Sequence, residues 1–85
     1  MLLDPCALTP RQCRAARALL DWTQQELADG ARVCRATIRD FELGKHTIHR
    51  STEVLIRQAL ELEGVTFASD PERGEGVFLS RERGV

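Results

Sequence analysis

Two helix-start signals lie close together in the middle of the chain, and this limits what the chain can fold into. Residues 23–26 form a capping box, in which Thr23 and a glutamate three residues later bond to each other's backbone N–H groups. Gly30 interrupts the helix that follows after little more than two turns, and Cys34 begins another. The spacing predicts two short helices joined by a tight turn, which is a helix-turn-helix.

One further helix is predicted on each side of this pair. Thr9 caps the first, which runs to about Asp21, and residues 1–8 before it show no periodicity and are interpreted as a loose arm. Ser51 is predicted to cap a fourth helix, which ends at Gly64. Residues 9–64 therefore form one helix-turn-helix domain.

The last part of the chain changes in character. Residues 65–67 and 77–79 are β-branched and aromatic, and a polar loop separates them, which predicts two short strands. The fold class is therefore mainly α: a compact helix-turn-helix bundle of four helices with a short C-terminal β hairpin or strand pair.

The apolar side chains of this extension are difficult to bury within one short subunit. We therefore predict that residues 65–85 form a dimerisation segment, in which open strand edges pair across a two-fold axis. The predicted interface residues are Val65, Phe67, Val77 and Phe78. The competing interpretation is a hairpin that packs on its own helices.

The third helix has a polar face whose residues suit DNA bases. At about 100° per residue, Arg35, Ala36, Arg39 and Asp40 share one face, opposite the apolar residues. The two arginines suit guanine and Ala36 suits the thymine methyl group, while Asp40 either accepts from cytosine or orients a neighbouring arginine. Helix N-termini near Gln24 and Arg35 favour phosphates.

The charge distribution agrees with a local contact to DNA. The net charge of −1 excludes a uniformly basic surface, yet residues 32–50 carry five basic and two acidic side chains. Lys45, His46 and Thr47 follow the third helix where they could hold the DNA backbone.

Three segments resemble one family of regulators. Residues 22–28 (Trp-Thr-Gln-Gln-Glu-Leu-Ala), 33–38 (Val-Cys-Arg-Ala-Thr-Ile) and 41–45 (Phe-Glu-Leu-Gly-Lys) are similar to the xenobiotic-response-element family of Cro-like and phage-repressor-like regulators. The resemblance covers roughly residues 9–63. It implies a sequence-specific transcriptional regulator that binds palindromic operators as a homodimer, its own promoter among them. The cysteines, odd in number and without CxxC spacing, favour reduced thiols and a cytoplasmic protein.

The resemblance also implies roles for particular residues. Gln24 would bind phosphate, the third helix would read bases, and Arg17 would form an ion pair with Glu42. Arg32 departs from the family, because glycine is usual at this turn position; Arg32 either becomes left-handed or alters the turn. The residues predicted to contact double-stranded DNA are Thr23, Gln24, Arg35, Ala36, Thr37, Arg39, Asp40, Lys45, His46 and Thr47.

Other classes of protein fit the sequence less well. No nucleophile–base pair, phosphate-binding glycine loop or metal-ligand spacing is present, so we expect no enzyme, cofactor or metal site. No apolar run approaches the ~18–20 residues of a membrane span. The alternative function is a protein-interaction module, an antitoxin or anti-regulator, whose acidic tail binds a protein partner and for which DNA binding is secondary.

Overall fold

The computed structural model describes residues 8–45 and 48–80. It contains four helices followed by a two-stranded antiparallel sheet, which confirms the predicted fold class. The elements are α1 (Pro10–Leu20), α2 (Gln24–Ala31), α3 (Arg35–Glu42), α4 (Arg50–Leu62), β1 (Val65–Asp70) and β2 (Gly74–Leu79). Within the described part of the chain, no helix is long and apolar enough to cross a bilayer.

The first two helices begin at the predicted caps. Thr9 and Thr23 each form a complete capping box, with Gln12 and Glu26 respectively as the third helical residue. The prediction that Ser51 caps the fourth helix is wrong. The cap is His49, two residues earlier, and its side chain makes no capping bond.

The turn between α2 and α3 is made by Arg32 rather than by a glycine. Arg32 is in the left-handed region (φ 60°, ψ 44°), and its N–H bonds to the carbonyls that end the helix. The helix therefore runs through Gly30, and the prediction that this glycine interrupts it is wrong. A β carbon built on Gly30 would lie 3.5 Å from the Trp22 ring, so the indole packs closely beside it.

The core lies between α2, α3 and α4, and α1 closes it. Its largest fully buried side chains are Leu27, Ile38, Ile56, Leu60 and Cys13. Leu8 also belongs to this core, because only 5% of it is exposed. Its backbone is held as well, since its N–H donates to a Glu53 carboxylate oxygen at 2.7 Å. The assignment of Leu8 to a loose arm is therefore wrong.

The two strands form an intramolecular hairpin and are longer than predicted. The register pairs Val65 with Leu79 and Phe67 with Val77, and these four side chains face the helices. Val65 is 3% exposed, whereas Phe67 and Val77 are half-buried against the core. The expectation that these side chains are difficult to bury within one subunit is wrong for Val65, Phe67 and Val77, because strand alternation directs them onto α1 and α4. Phe78, on the other face of the hairpin, is 63% exposed.

Polar contacts also hold the hairpin to α1. The Gln12 side chain is buried, and its Nε2 donates to the backbone carbonyls of Ala68 (3.0 Å) and Gly76 (3.2 Å). At the surface, Glu75 accepts hydrogen bonds from Thr9 Oγ1 and from the Arg11 guanidinium. These contacts extend the strands beyond the apolar segments that marked them in the sequence.

Candidate nucleic-acid interface

The solvent face of α3 carries the side chains that the sequence assigned to base contact. Arg35 and Ala36 are exposed, and the Arg39 side chain is 46% exposed. Ile38 and Phe41 are buried on the opposite side of the same helix. The amphipathic division of α3 therefore agrees with the sequence prediction.

Asp40 contacts the neighbouring arginine in this face. The Arg39 Nε donates to Asp40 Oδ1 at 3.1 Å, and the two side chains form a partly exposed ion pair. This pair is consistent with the predicted role in which Asp40 orients a neighbouring arginine, and a contact to cytosine stays a prediction. The bond uses Nε, so it leaves the two Nη groups of Arg39 for another acceptor.

The remaining predicted contact residues lie around the N-termini of α2 and α3 and after α3. Thr23 and Lys45 are exposed, and Gln24 is half-buried. Thr37 is half-buried, and its hydroxyl lies 3.2 Å from the exposed Cys34 thiol, whose pKa that contact lowers. His46 and Thr47 lie outside the described residues.

A buried carboxylate connects this interface to the rest of the molecule. Glu42, the last residue of α3, is only 2% exposed. Arg17 of α1 donates to both of its oxygens, from Nε to Oε2 and from Nη2 to Oε1, each at 2.7 Å. The predicted ion pair between Arg17 and Glu42 is confirmed, and its geometry is that of a bidentate fork.

Two further side chains complete the bonds to this carboxylate, and the sequence did not reveal them. The buried Cys13 thiol donates to Oε2 at 3.1 Å, and the Gln24 Nε2 donates to Oε1 at 3.1 Å. Cys13 lies one helical turn before Arg17, so both side chains reach the same carboxylate. No pattern in the sequence indicated a polar role for Cys13, because that role depends on the burial of Glu42. The Gln24 amide nitrogen is therefore engaged within the protein, although the helix N-terminus beside it remains suited to phosphate.

The network determines the protonation of its members. Burial by itself raises the pKa of Glu42, but hydrogen bonds from Arg17, Cys13 and Gln24 outweigh it, and the pKa lies below its usual value. Burial, together with the bond to Glu42, raises the pKa of Cys13 strongly, so this residue stays a neutral thiol donor. An ionised Glu42 thus joins α1, the start of α2 and the end of α3, and fixes the orientation of the exposed α3 face.

The sequence matches no protein-family model, and no curated protein matches it either. Within residues 8–45 and 48–80, no three His, Cys, Asp or Glu side chains are grouped so that they could hold a metal ion. The chemistry of the α3 face is therefore the guide to function.

Proposed function

We propose that this protein is a sequence-specific DNA-binding transcriptional regulator that reads the major groove through α3. The observation that carries the proposal is the exposed face of α3, where Arg35, Ala36 and Arg39 stand on a helix whose opposite side is buried. A helix fits the major groove, and arginine forks match the O6 and N7 atoms of guanine.

The surroundings of α3 support this orientation of the helix. Arg32 and Lys45, before and after α3, are exposed and cationic, so the helix is flanked by groups that attract phosphates. The bonds to Glu42 hold the end of α3 against α1, so that Arg35 and Arg39 are presented from a rigid element rather than from a loop.

We further propose that the regulator acts as a homodimer on palindromic operators, its own promoter among them. In a two-fold dimer of such domains, each copy places one recognition helix in one half-site. The half-sites are then expected about one helical turn, roughly 34 Å, apart.

Selection from random double-stranded DNA, followed by a footprint on the DNA upstream of the gene, tests the proposal. Arg35→Ala and Arg39→Ala are each expected to weaken binding to the selected site by about 1–3 kcal/mol and to relax the preference at one or two base pairs. Arg73→Ala is the matched control, because this exposed arginine lies in the hairpin turn, outside the helix-turn-helix.

Three outcomes would count against base readout by α3. Selection could yield no consensus at any salt concentration, both α3 variants could bind the selected site like the wild type, or Arg73→Ala could weaken binding as much as they do. In the first case the alternative, a protein-interaction module of the antitoxin or anti-regulator kind, becomes the better proposal. A partner protein that binds the acidic C-terminal part would then be sought by co-expression with neighbouring genes.

A further inference from the structure

The free edge of β2 exposes backbone groups suited to another strand. The sheet has two strands, and in the described part of the chain no third strand pairs with β2. Ser80 N–H donates to Gly64 O at 2.9 Å, which continues the hairpin register by one pair. Because bonded and non-bonded pairs alternate, the backbone N–H and C=O groups of Glu75, Val77 and Leu79 point away from β1, towards the open edge.

A groove runs beside this edge, between β2 and α1. It has a volume of about 590 Å³ and is lined by residues 74–77 of β2 and by Arg11, Gln12 and Ala15 of α1. Leu19, one helical turn after Ala15, is 41% exposed. The edge therefore faces an open groove, and the Arg11–Glu75 ion pair lies at the border of this groove.

The outer face of β2 has a pattern that complements itself. Gly74, Gly76 and Phe78 alternate along this face, so two positions without side chains precede one aromatic ring that is 63% exposed. A second β2 strand related by a two-fold axis runs in the opposite direction. In the symmetric register centred on Val77, which pairs Glu75 with Leu79 of the other copy, each Phe78 lies opposite Gly76 of the other copy. Aromatic residues that cover a cross-strand glycine stabilise such pairs.

We propose that β2 is the homodimer interface, and that two copies pair their β2 strands into one continuous four-stranded antiparallel sheet. The inference deepens the homodimer in the proposed function and does not depend on how α3 reads DNA. A second copy is the occupant that the pattern favours, because an unrelated strand would not supply an aromatic ring opposite a glycine and a glycine opposite Phe78 at once. Val65 takes no part in this interface, since it is buried within its own chain.

Analytical ultracentrifugation of the full chain without DNA, over a concentration series, tests the interface. The wild type is expected to dimerise, and Phe78→Ser and Gly76→Val are each expected to raise the dimer dissociation constant at least about tenfold. The hairpin itself has room for a β carbon at Gly76, which would meet only the Ala68 β carbon at 4.0 Å. Leu62→Ser is the matched control: Leu62 is 86% exposed on α4, away from the β2 edge.

Circular dichroism checks that each variant is folded. If Phe78→Ser does not fold, Gly76→Val still tests the interface. The interface is overturned if the wild type stays monomeric throughout the series, if folded Phe78→Ser and Gly76→Val dimerise like the wild type, or if Leu62→Ser weakens association equally. Loss of DNA binding in the α3 arginine variants with dimerisation intact separates the two proposals.

Discussion

Replacement of Glu42 by alanine is the sharpest test of how the fold orients α3. The substitution removes both acceptor oxygens of the Arg17 fork and the acceptors of Cys13 and Gln24. Cys13 is fully buried, so its thiol loses its partner without gaining water. The Arg17 guanidinium keeps one bond, to the Trp22 carbonyl at 3.0 Å.

The expected loss follows from the burial of the two partners. Breaking a fully buried ion pair costs about 3–5 kcal/mol. Because the Arg17 side chain is 19% exposed and can recover some hydration, we expect Glu42→Ala to lower the free energy of unfolding by about 2–4 kcal/mol. For a domain of this size, that corresponds to a Tm lower by roughly 10–25 °C.

Thermal and urea unfolding measure the effect, and the chain offers a matched control. Arg57 and Glu61 form another arginine–glutamate pair, at 2.9 Å on α4, but the Glu61 side chain is 43% exposed whereas that of Glu42 is 2% exposed. Glu61→Ala is expected to cost only about 0.3–0.5 kcal/mol. Adding Arg17→Met to Glu42→Ala should recover part of the loss, because it removes the unpaired charge. If Glu42→Ala costs no more than Glu61→Ala, the network does not hold α3 in place.

The same carboxylate and the left-handed turn each give a further prediction. Because the pKa of Glu42 is lower in the folded state than in the unfolded one, its contribution is complete above the unfolded value of about 4.3 and is lost as the pH falls through the folded pKa. The difference in free energy of unfolding between wild type and Glu42→Ala should therefore shrink below about pH 4 in urea titrations; a constant difference down to pH 2 would contradict this. Arg32→Gly should raise the free energy of unfolding by about 0.5–1 kcal/mol, because arginine is strained at positive φ. Asp21→Gly, at the other non-glycine residue with positive φ, should gain less because aspartate tolerates this region better, and equal gains in thermal melts would refute the explanation.

The helix starts at Thr9 and Thr23 could be predicted because a capping box is made within four consecutive residues. The start of α4 could not be predicted in this way. Its cap residue makes no side-chain bond, and Glu53 in its first turn bonds to Leu8, a residue 45 positions away. Such a contact leaves no local pattern in the sequence.

The strands show the same limit. Their apolar halves were visible as β-branched and aromatic residues, but the polar halves continue to Asp70 and from Gly74. The register there is supported by Gln12, whose side chain reaches two strand carbonyls from another helix. Whether the apolar side chains would be buried by their own helices or by another subunit depended on where α1 and α4 lie relative to the hairpin.

By itself, the sequence determined the periodic features: the four helices, the short turn after α2 and the division of α3 into an apolar and an arginine-bearing face. These follow from hydrogen bonds and side-chain spacing within one or two helical turns. Only the tertiary structure decided which side chains surround Glu42. Cys13 and Gln24 lie 29 and 18 residues away from it, and they meet it because α1 and α2 cross the end of α3. A buried carboxylate must be paired wherever partners can reach it, and which partners reach it is decided by how the helices pack.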